Sequence, residues 1–391
     1  MLHKLLVSPR KSQLIIVQIS LLYILNENSI DPIIIDLSLD KEIHNNNIES
    51  IQSKEYSPSI EHLVRDIKYS KDGSKVGVIL DNKQIKVYNT ENWKIEYQRM
   101  VIKRPTAIDF DIFGNQVVIA DKFGDAYSFN MNEEVTEDKE IEPIVGHVSV
   151  LMDILISKDN KYVLTADRDE KIRVSKYPNG YNIHGYLLGH KSYVSKMIFS
   201  QIQDKNWLFS VGGDGNIILF DFNKLIKINQ LELKQYFNKE EEKDGDINLN
   251  NIKLNHFNEV EEKERFTLIG TGCENLNKIV ILKLNNNIEL EYFDTIEFED
   301  NVISFTFDHQ NQLIVSTNNN NNQIQCFKLN EDKTQYNKQD TKQYENLEFN
   351  KFDAPKDFRL PCISEHRKFI NLTLMPEEEE NGIKKKKTTD H

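Results

Sequence analysis

Short apolar runs recur along the chain, each following a polar turn and each alternating in and out over four or five residues. They are Ile85-Lys86-Val87-Tyr88, Ala126-Tyr127-Ser128-Phe129, Ile172-Arg173-Val174-Ser175, Ile217-Ile218-Leu219-Phe220, Ile279-Val280-Ile281-Leu282 and Gln323-Ile324-Gln325-Cys326-Phe327. Period-two alternation of this length predicts β-strands. The starts are spaced by 41, 46, 45, 62 and 44 residues, so four of the five intervals match the repeat of a propeller blade. A second strand precedes each of the first runs, at Val76 to Leu80, Val117 to Ala120, Tyr162 to Thr165 and Leu208 to Val211. Turns rich in Asp, Asn and Gly separate the strands, as at Asp72-Gly73 and Gly213-Asp214-Gly215.

A single four-stranded sheet with two apolar faces cannot bury both. Setting the sheets radially buries each against its neighbours, and closing the ring leaves only short strand edges. The predicted fold class is therefore all-β, a propeller of four-stranded antiparallel blades spanning residues 1–375. Six units are visible between about residue 60 and residue 330. The Ile/Val-rich N-terminal stretch and Phe369 to Leu374 are expected to build one more blade between them and clasp the ring. Seven blades is the favoured count, with six and eight as alternatives.

Composition narrows the function classes. Of 391 residues, 39% are hydrophobic and 28% charged, which suits a soluble globular fold. The net charge of −13 argues against bulk attraction to nucleic acid and leaves room for a local basic patch. Cys273, Cys326 and Cys362 are far apart, without metal-ligand spacing, and fit a reducing compartment, cytosol or nucleus. Lys4, Arg10 and Lys11 precede an apolar run from Leu14 to Leu25 that superficially resembles a signal peptide. At 12 residues it is too short to span a membrane, and its Ile, Val and Tyr content suits buried strands. Residues 229–264 hold ten acidic and five basic side chains and are expected to form a solvated, mobile loop insertion. Residues 376–391 run from Glu377-Glu378-Glu379-Glu380 to Lys384-Lys385-Lys386-Lys387 and are expected to be a disordered charged tail. The four lysines are candidates for a nucleic-acid phosphate contact or a nuclear signal, and a merely solvated tail is an equal alternative.

Two units open on a Gly-His pair, Gly146-His147 and Gly189-His190, as WD40 repeats do. In that repeat a buried chain links the His to a Ser or Thr on the next strand and an Asp in the following turn. Spacing assigns His190, Ser210 and Asp214 to one such chain, and His147, Thr165 and Asp169 to another. Recurrence at the repeat period marks these residues as architecture rather than catalytic dyads, because buried polar groups must be paired. The terminal Trp-Asp is missing from every unit; Phe220-Asp221 is nearest.

The run Leu164-Thr165-Ala166-Asp167-Arg168-Asp169-Glu170-Lys171-Ile172-Arg173-Val174-Ser175 is more specific, followed by Tyr177-Pro178 and Leu188-Gly189-His190. It resembles the WD-repeat subunit of tRNA (guanine-N7-)-methyltransferases. Ala120-Asp121-Lys122-Phe123-Gly124-Asp125-Ala126-Tyr127 and Gly146-His147-Val148-Ser149-Val150-Leu151-Met152-Asp153 resemble the same family, so the close likeness covers about residues 105–222. The resemblance implies a non-catalytic subunit in the nucleus that binds and stabilises a separate catalytic chain as a heterodimer. S-adenosylmethionine is expected on that partner, which methylates guanine N7 in the tRNA variable loop, and tRNA is reached through the complex. Asp167 and Arg168 are expected to project to solvent from one turn. Arg168 is expected to pair an acidic side chain of the partner, with Lys171 second, because a guanidinium grips a carboxylate bidentately.

No cofactor or metal site of the chain's own is expected. The sequence shows no phosphate loop and no H-E-x-x-H, and Val211-Gly212-Gly213-Asp214-Gly215 lies in a strand–turn–strand rather than before a helix. Two other readings remain: a propeller scaffold or substrate receptor in another complex such as a ubiquitin ligase, and an enzyme with its site in the central channel.

Overall fold

The six recurring apolar runs lie in strands of the computed structural model, Gln323 alone falling one residue outside, and the structure describes residues 4–26, 32–39, 41–43, 60–133, 141–202, 205–237, 248–257, 266–318 and 323–339. The described strands form seven antiparallel sheets, each built from one continuous stretch of chain in sequential order. Blades 2 to 7 have four strands apiece. Their innermost strands are Val64–Tyr69, Pro105–Phe110, Leu151–Ile156, Val194–Ile202, Leu249–Phe257 and Val302–Phe307. The fold is a seven-bladed β-propeller, as the repeat predicts.

Blade 1 differs from the sequence-based expectation. Five strands from Lys4–Val7 to Lys41–Ile43 make a complete sheet from the N-terminal stretch. Phe369 to Leu374 lie outside the described residues, and the blade does not need them. Apolar content explains this. Gln13–Gln18 and Leu21–Asn26 pair as a hairpin in which Ile15, Ile16, Val17, Leu21, Leu22 and Ile24 are all buried. One face of the hairpin packs on Ile67, Tyr69, Val76 and Val78 of blade 2. The other packs on Ile314, Ile324 and Cys326 of blade 7. Polar contacts complete the closure. The Leu5 amide donates to Ser304 Oγ at 3.2 Å, and His309 Nε2 lies 2.8 Å from the Ser8 carbonyl oxygen and 3.1 Å from that of Lys11. The apolar run of Leu14 to Leu25 is thus blade core.

The insertion is also smaller than expected. Residues 229–232 end the strand Ile226–Glu232, which finishes blade 5, and Leu249–Phe257 supplies the innermost strand of blade 6. The Asn-rich sequence hides the second strand, because Leu249, Ile252, Leu254 and Phe257 are its only apolar residues among Asn and charged neighbours. The first three pack with Trp207, Phe209 and Leu219 of blade 5 and Ile269 and Leu282 of blade 6. Residues 238–247 and 258–265, most of the remaining charged span, lie outside the described residues. So do the 376–391 tail and Cys362, while Cys273 and Cys326 are buried and form no disulfide among the described residues.

Candidate partner-docking site

Turns between the second and third strands bond to the entry segment of their own blade or of the blade that follows. The Lys122 amide donates to the Arg104 carbonyl at 3.1 Å, that of His147 to Gly124 at 2.8 Å, and that of Arg168 to Val150 at 3.0 Å. Gly124 has φ +101°, and a Cβ there would sit 2.5 Å from the His147 carbonyl oxygen, so the close approach requires glycine. These bonds hold Ile102, Phe123, Val148 and the Arg168 turn in one continuous strip. Leu188 extends it, following the outer strand Ile183–Leu187 that pairs with Ile172.

Polar chains beneath the strip fix its turns. His190 Nε2 lies 2.7 Å from Ser210 Oγ and its Nδ1 3.0 Å from Asp214 Oδ1, as the repeat spacing predicts. Burial pushes the Asp214 carboxyl up. The His190 hydrogen bond and the backbone N–H groups of Lys191 and Asn216 outweigh it and hold the pKa below the usual carboxylate value.

The second chain corrects the expectation. His147 Nε2 lies 2.8 Å from Thr165 Oγ1, but its Nδ1 meets Asp167 Oδ2 at 3.1 Å, not Asp169. Asp167 ends the strand Tyr162–Asp167 opposite Leu151, and its Oδ1 accepts the amides of Asp169 and Lys171 at 2.9 and 3.1 Å. One carboxylate therefore caps the turn and anchors the histidine. In blade 5 the corresponding strand ends at Gly212 and the Asp comes two residues later, which is why counting from Ser210 misplaces the carboxylate in blade 4. Asp167 is 5% exposed and so is withdrawn as a solvent-facing partner contact. Asp121 holds the equivalent place in blade 3 without a histidine. Its Oδ1 accepts Phe123 and Asp125 amides, its Oδ2 has no partner among the described residues, and burial raises its pKa.

Arg168 is half-buried rather than projecting. Its Nε is enclosed without a hydrogen-bond partner, and its guanidinium makes no ion pair among the described residues. Lys171 is exposed as expected. Lys384 to Lys387 lie outside the described residues. Sequence reasoning missed the apolar part of the strip: Val148 is fully exposed, Ile102 74%, Leu188 59% and Phe123 56%. Lys103 and Lys122 stand over the Phe123 ring at 4.8 and 5.1 Å. The available signal was an apolar residue inside each polar turn, as in Gly146-His147-Val148-Ser149. No group of His, Cys, Asp or Glu among the described residues has the arrangement to hold a metal ion.

A family model described as the tRNA methyltransferase TRM82 WD40 domain matches residues 36–141 and 132–341. The chain belongs to this family. Members it resembles are named tRNA (guanine-N(7)-)-methyltransferase non-catalytic subunit. The one from Debaryomyces hansenii is 30% identical over 286 residues, covering 67% of this chain and 63% of that protein. The one from Danio rerio is 30% identical over 249 residues, covering 63% of this chain and 57% of that protein. The one from Mus musculus is 37% identical over 154 residues, covering 39% and 36%. The match thus spans about three fifths of the length of the first two relatives. Among solved structures, the RRP9 WD40 repeats superpose with a TM-score of 0.59 at 15% identity, covering 81% of this chain and 87% of that one, a likeness of fold alone.

Proposed function

We propose that this member of the TRM82 WD family is the non-catalytic subunit of a tRNA guanine-N7 methyltransferase, which binds and stabilises a separate catalytic chain as a heterodimer. The observation that carries the docking mode is Arg168, half-buried with no acidic partner among the described residues, in a turn bonded to the loop that exposes Val148. An apolar strip with one desolvated arginine is the composition of a protein interface core, where Arg and large apolar anchors dominate the energy. Ile102, Phe123, Val148 and Leu188 supply buried area, Arg168 pairs a carboxylate of the catalytic chain, and Lys171 adds a charge at the rim. S-adenosylmethionine and the chemistry at N7 of a variable-loop guanine belong to the partner. The tRNA is reached through the complex, in the nucleus, with Lys384 to Lys387 as the basic segment available to it.

Co-expression with the cognate methyltransferase tests this reading. The expected result is a one-to-one complex that methylates tRNA at guanine N7, with neither chain active at that level alone. Two chains that fail to associate at moderate salt, or capture of ubiquitin-ligase adaptors in place of a methyltransferase, would overturn it.

A further inference from the structure

The innermost strands line the central channel, and they share one irregularity. Blades 2 to 7 each slip register at the same place, between residues 64 and 66, 105 and 107, 151 and 153, 194 and 196, 249 and 251, and 302 and 304. Asp66, Ala107, Asp153, Lys196, Asn251 and Ser304 therefore occupy one level of the channel. Lys68, Asp109, Leu155, Ile198, Lys253 and Thr306 occupy the next, about 7 Å further along.

Ion pairs show that the charges meet inside the ring. Lys4 Nζ is 3.2 Å from Asp66 Oδ1. Lys196 Nζ is 3.0 Å from Asp153 Oδ1 on the neighbouring blade and 3.7 Å from Asp66 Oδ2, three blades away. Lys68 and Lys71 lie 3.3 and 3.1 Å from the two oxygens of Asp109. Asp109 and Asp153 also accept the amides of Ile156 and Met197 on the blades that follow, both at 2.8 Å. The three carboxylates are thus fully engaged. Lys253 has no ion pair among the described residues, so five channel lysines face three aspartates, an excess of two positive charges. The side chains of Lys4, Lys68, Lys71 and Lys196 remain 27 to 34% exposed.

An enclosed cation without a partner is costly, and the cost falls when a counter-ion arrives. Burial pushes Lys253 down to about 8, with Lys196, Lys4 and Lys68 adding to the effect and Asp66 opposing it. At neutral pH it is still largely an ammonium, with three donors to offer. The Lys196–Asp66 contact bridges the ring, so a nucleic-acid strand cannot thread it. We propose that the central channel binds a small free oxyanion of the phosphate class, gripped by Lys253 with Lys196 and Lys4 beside it. The oxyanion accepts from these three ammonium groups, and Lys68 and Lys71, two cations against Asp109, supply the second excess charge. The site is independent of the partner-docking strip.

Calorimetric titration of the full chain with sodium phosphate or sodium sulfate at pH 7, against sodium chloride at matched ionic strength, tests the proposal. Saturable one-to-one binding of phosphate is expected, with a rise in Tm that chloride does not give. Lys253→Met is expected to raise Kd at least about tenfold, the scale of a lost charge-assisted bond, and Lys253→Arg to retain binding. Wild-type protein that shows no saturable phosphate binding overturns the site. So does Lys253→Met protein that titrates like wild type, which would assign the binding to surface lysines. If Lys253→Met does not fold, Lys253→Gln replaces it, and the wild-type titration decides on its own.

Discussion

His147 and Asp167 are joined at 3.1 Å across two elements of blade 4, and the same carboxylate that receives the imidazole also caps the turn carrying Arg168. The turn that presents the candidate anchor is therefore held by a buried polar chain rather than by the exposed charges around it. Asp167→Ala removes one histidine partner and the acceptor for two amides, and is expected to cost about 2 kcal/mol. Asp169→Ala is expected to cost less than half of that. Urea unfolding of the two variants checks the order, and a larger loss for Asp169→Ala would show that the carboxylate had been misassigned.

Arg168 separates docking from folding. Its side chain makes no ion pair among the described residues, so Arg168→Glu is expected to change the chain's own stability by less than about 1 kcal/mol. Association with the catalytic chain is expected to weaken by about 2 kcal/mol or more, since the change both deletes a desolvated pair and sets like charges together. Calorimetry on the purified subunits reads the affinity, and thermal unfolding reads the fold. Equal affinity for both proteins would place the interface elsewhere.

How much of this was legible beforehand follows from where each signal sits along the chain. Blade period and Gly-His pairs are local features, so the fold and the His190–Ser210–Asp214 chain could be read directly. The His147 partner could not, because the strand carrying Thr165 ends on its carboxylate, whereas the strand carrying Ser210 ends two residues before Asp214. Blade 1 was split between the termini because its closure depends on packing against blade 7, contacts that connect opposite ends of the chain. The innermost strand of blade 6 was concealed by Asn and charged neighbours. Channel charges were the least visible. Asp66 and Lys196 mean nothing to each other until six register slips bring them to one level.

Lys253 gives the channel a pH signature. Its folded pKa, about 8, lies below the ordinary lysine value of 10.5, so the unfolded chain holds more protons between those limits. Stability contributed by this group should therefore rise as pH increases from about 8 to about 10.5, and the penalty should be fully present below 8. The full swing is bounded at about 3 kcal/mol. Lys253→Met removes the titration, so the difference between variant and wild type in urea should be largest near neutral pH and shrink above pH 9. Phosphate should flatten the wild-type curve, because a bound oxyanion favours the ammonium. A difference that does not vary with pH would mean that Lys253 is not desolvated in the folded chain.

Asp66 is the acidic counterpart. Burial alone pushes its carboxyl up, but Lys196, Lys4 and Lys68 outweigh it and hold the pKa well below the ordinary carboxylate value. Its contribution is present above about pH 4 and is lost as pH falls through the folded pKa, by the same linkage. Asp66→Asn leaves Lys4 without its carboxylate and removes the link across the ring, while Lys196 keeps Asp153. A loss of about 3 kcal/mol is expected at pH 7, the scale of breaking an enclosed pair from one side. The deficit should narrow as pH is lowered toward 3, where the carboxyl of the unfolded wild-type chain takes up a proton and the folded one does not. Adding Lys4→Met to Asp66→Asn should recover part of the loss, because the stranded ammonium goes with it. If the double variant is no more stable than Asp66→Asn alone, the cost arises from the lost cross-ring contact to Lys196 and not from an unpaired Lys4.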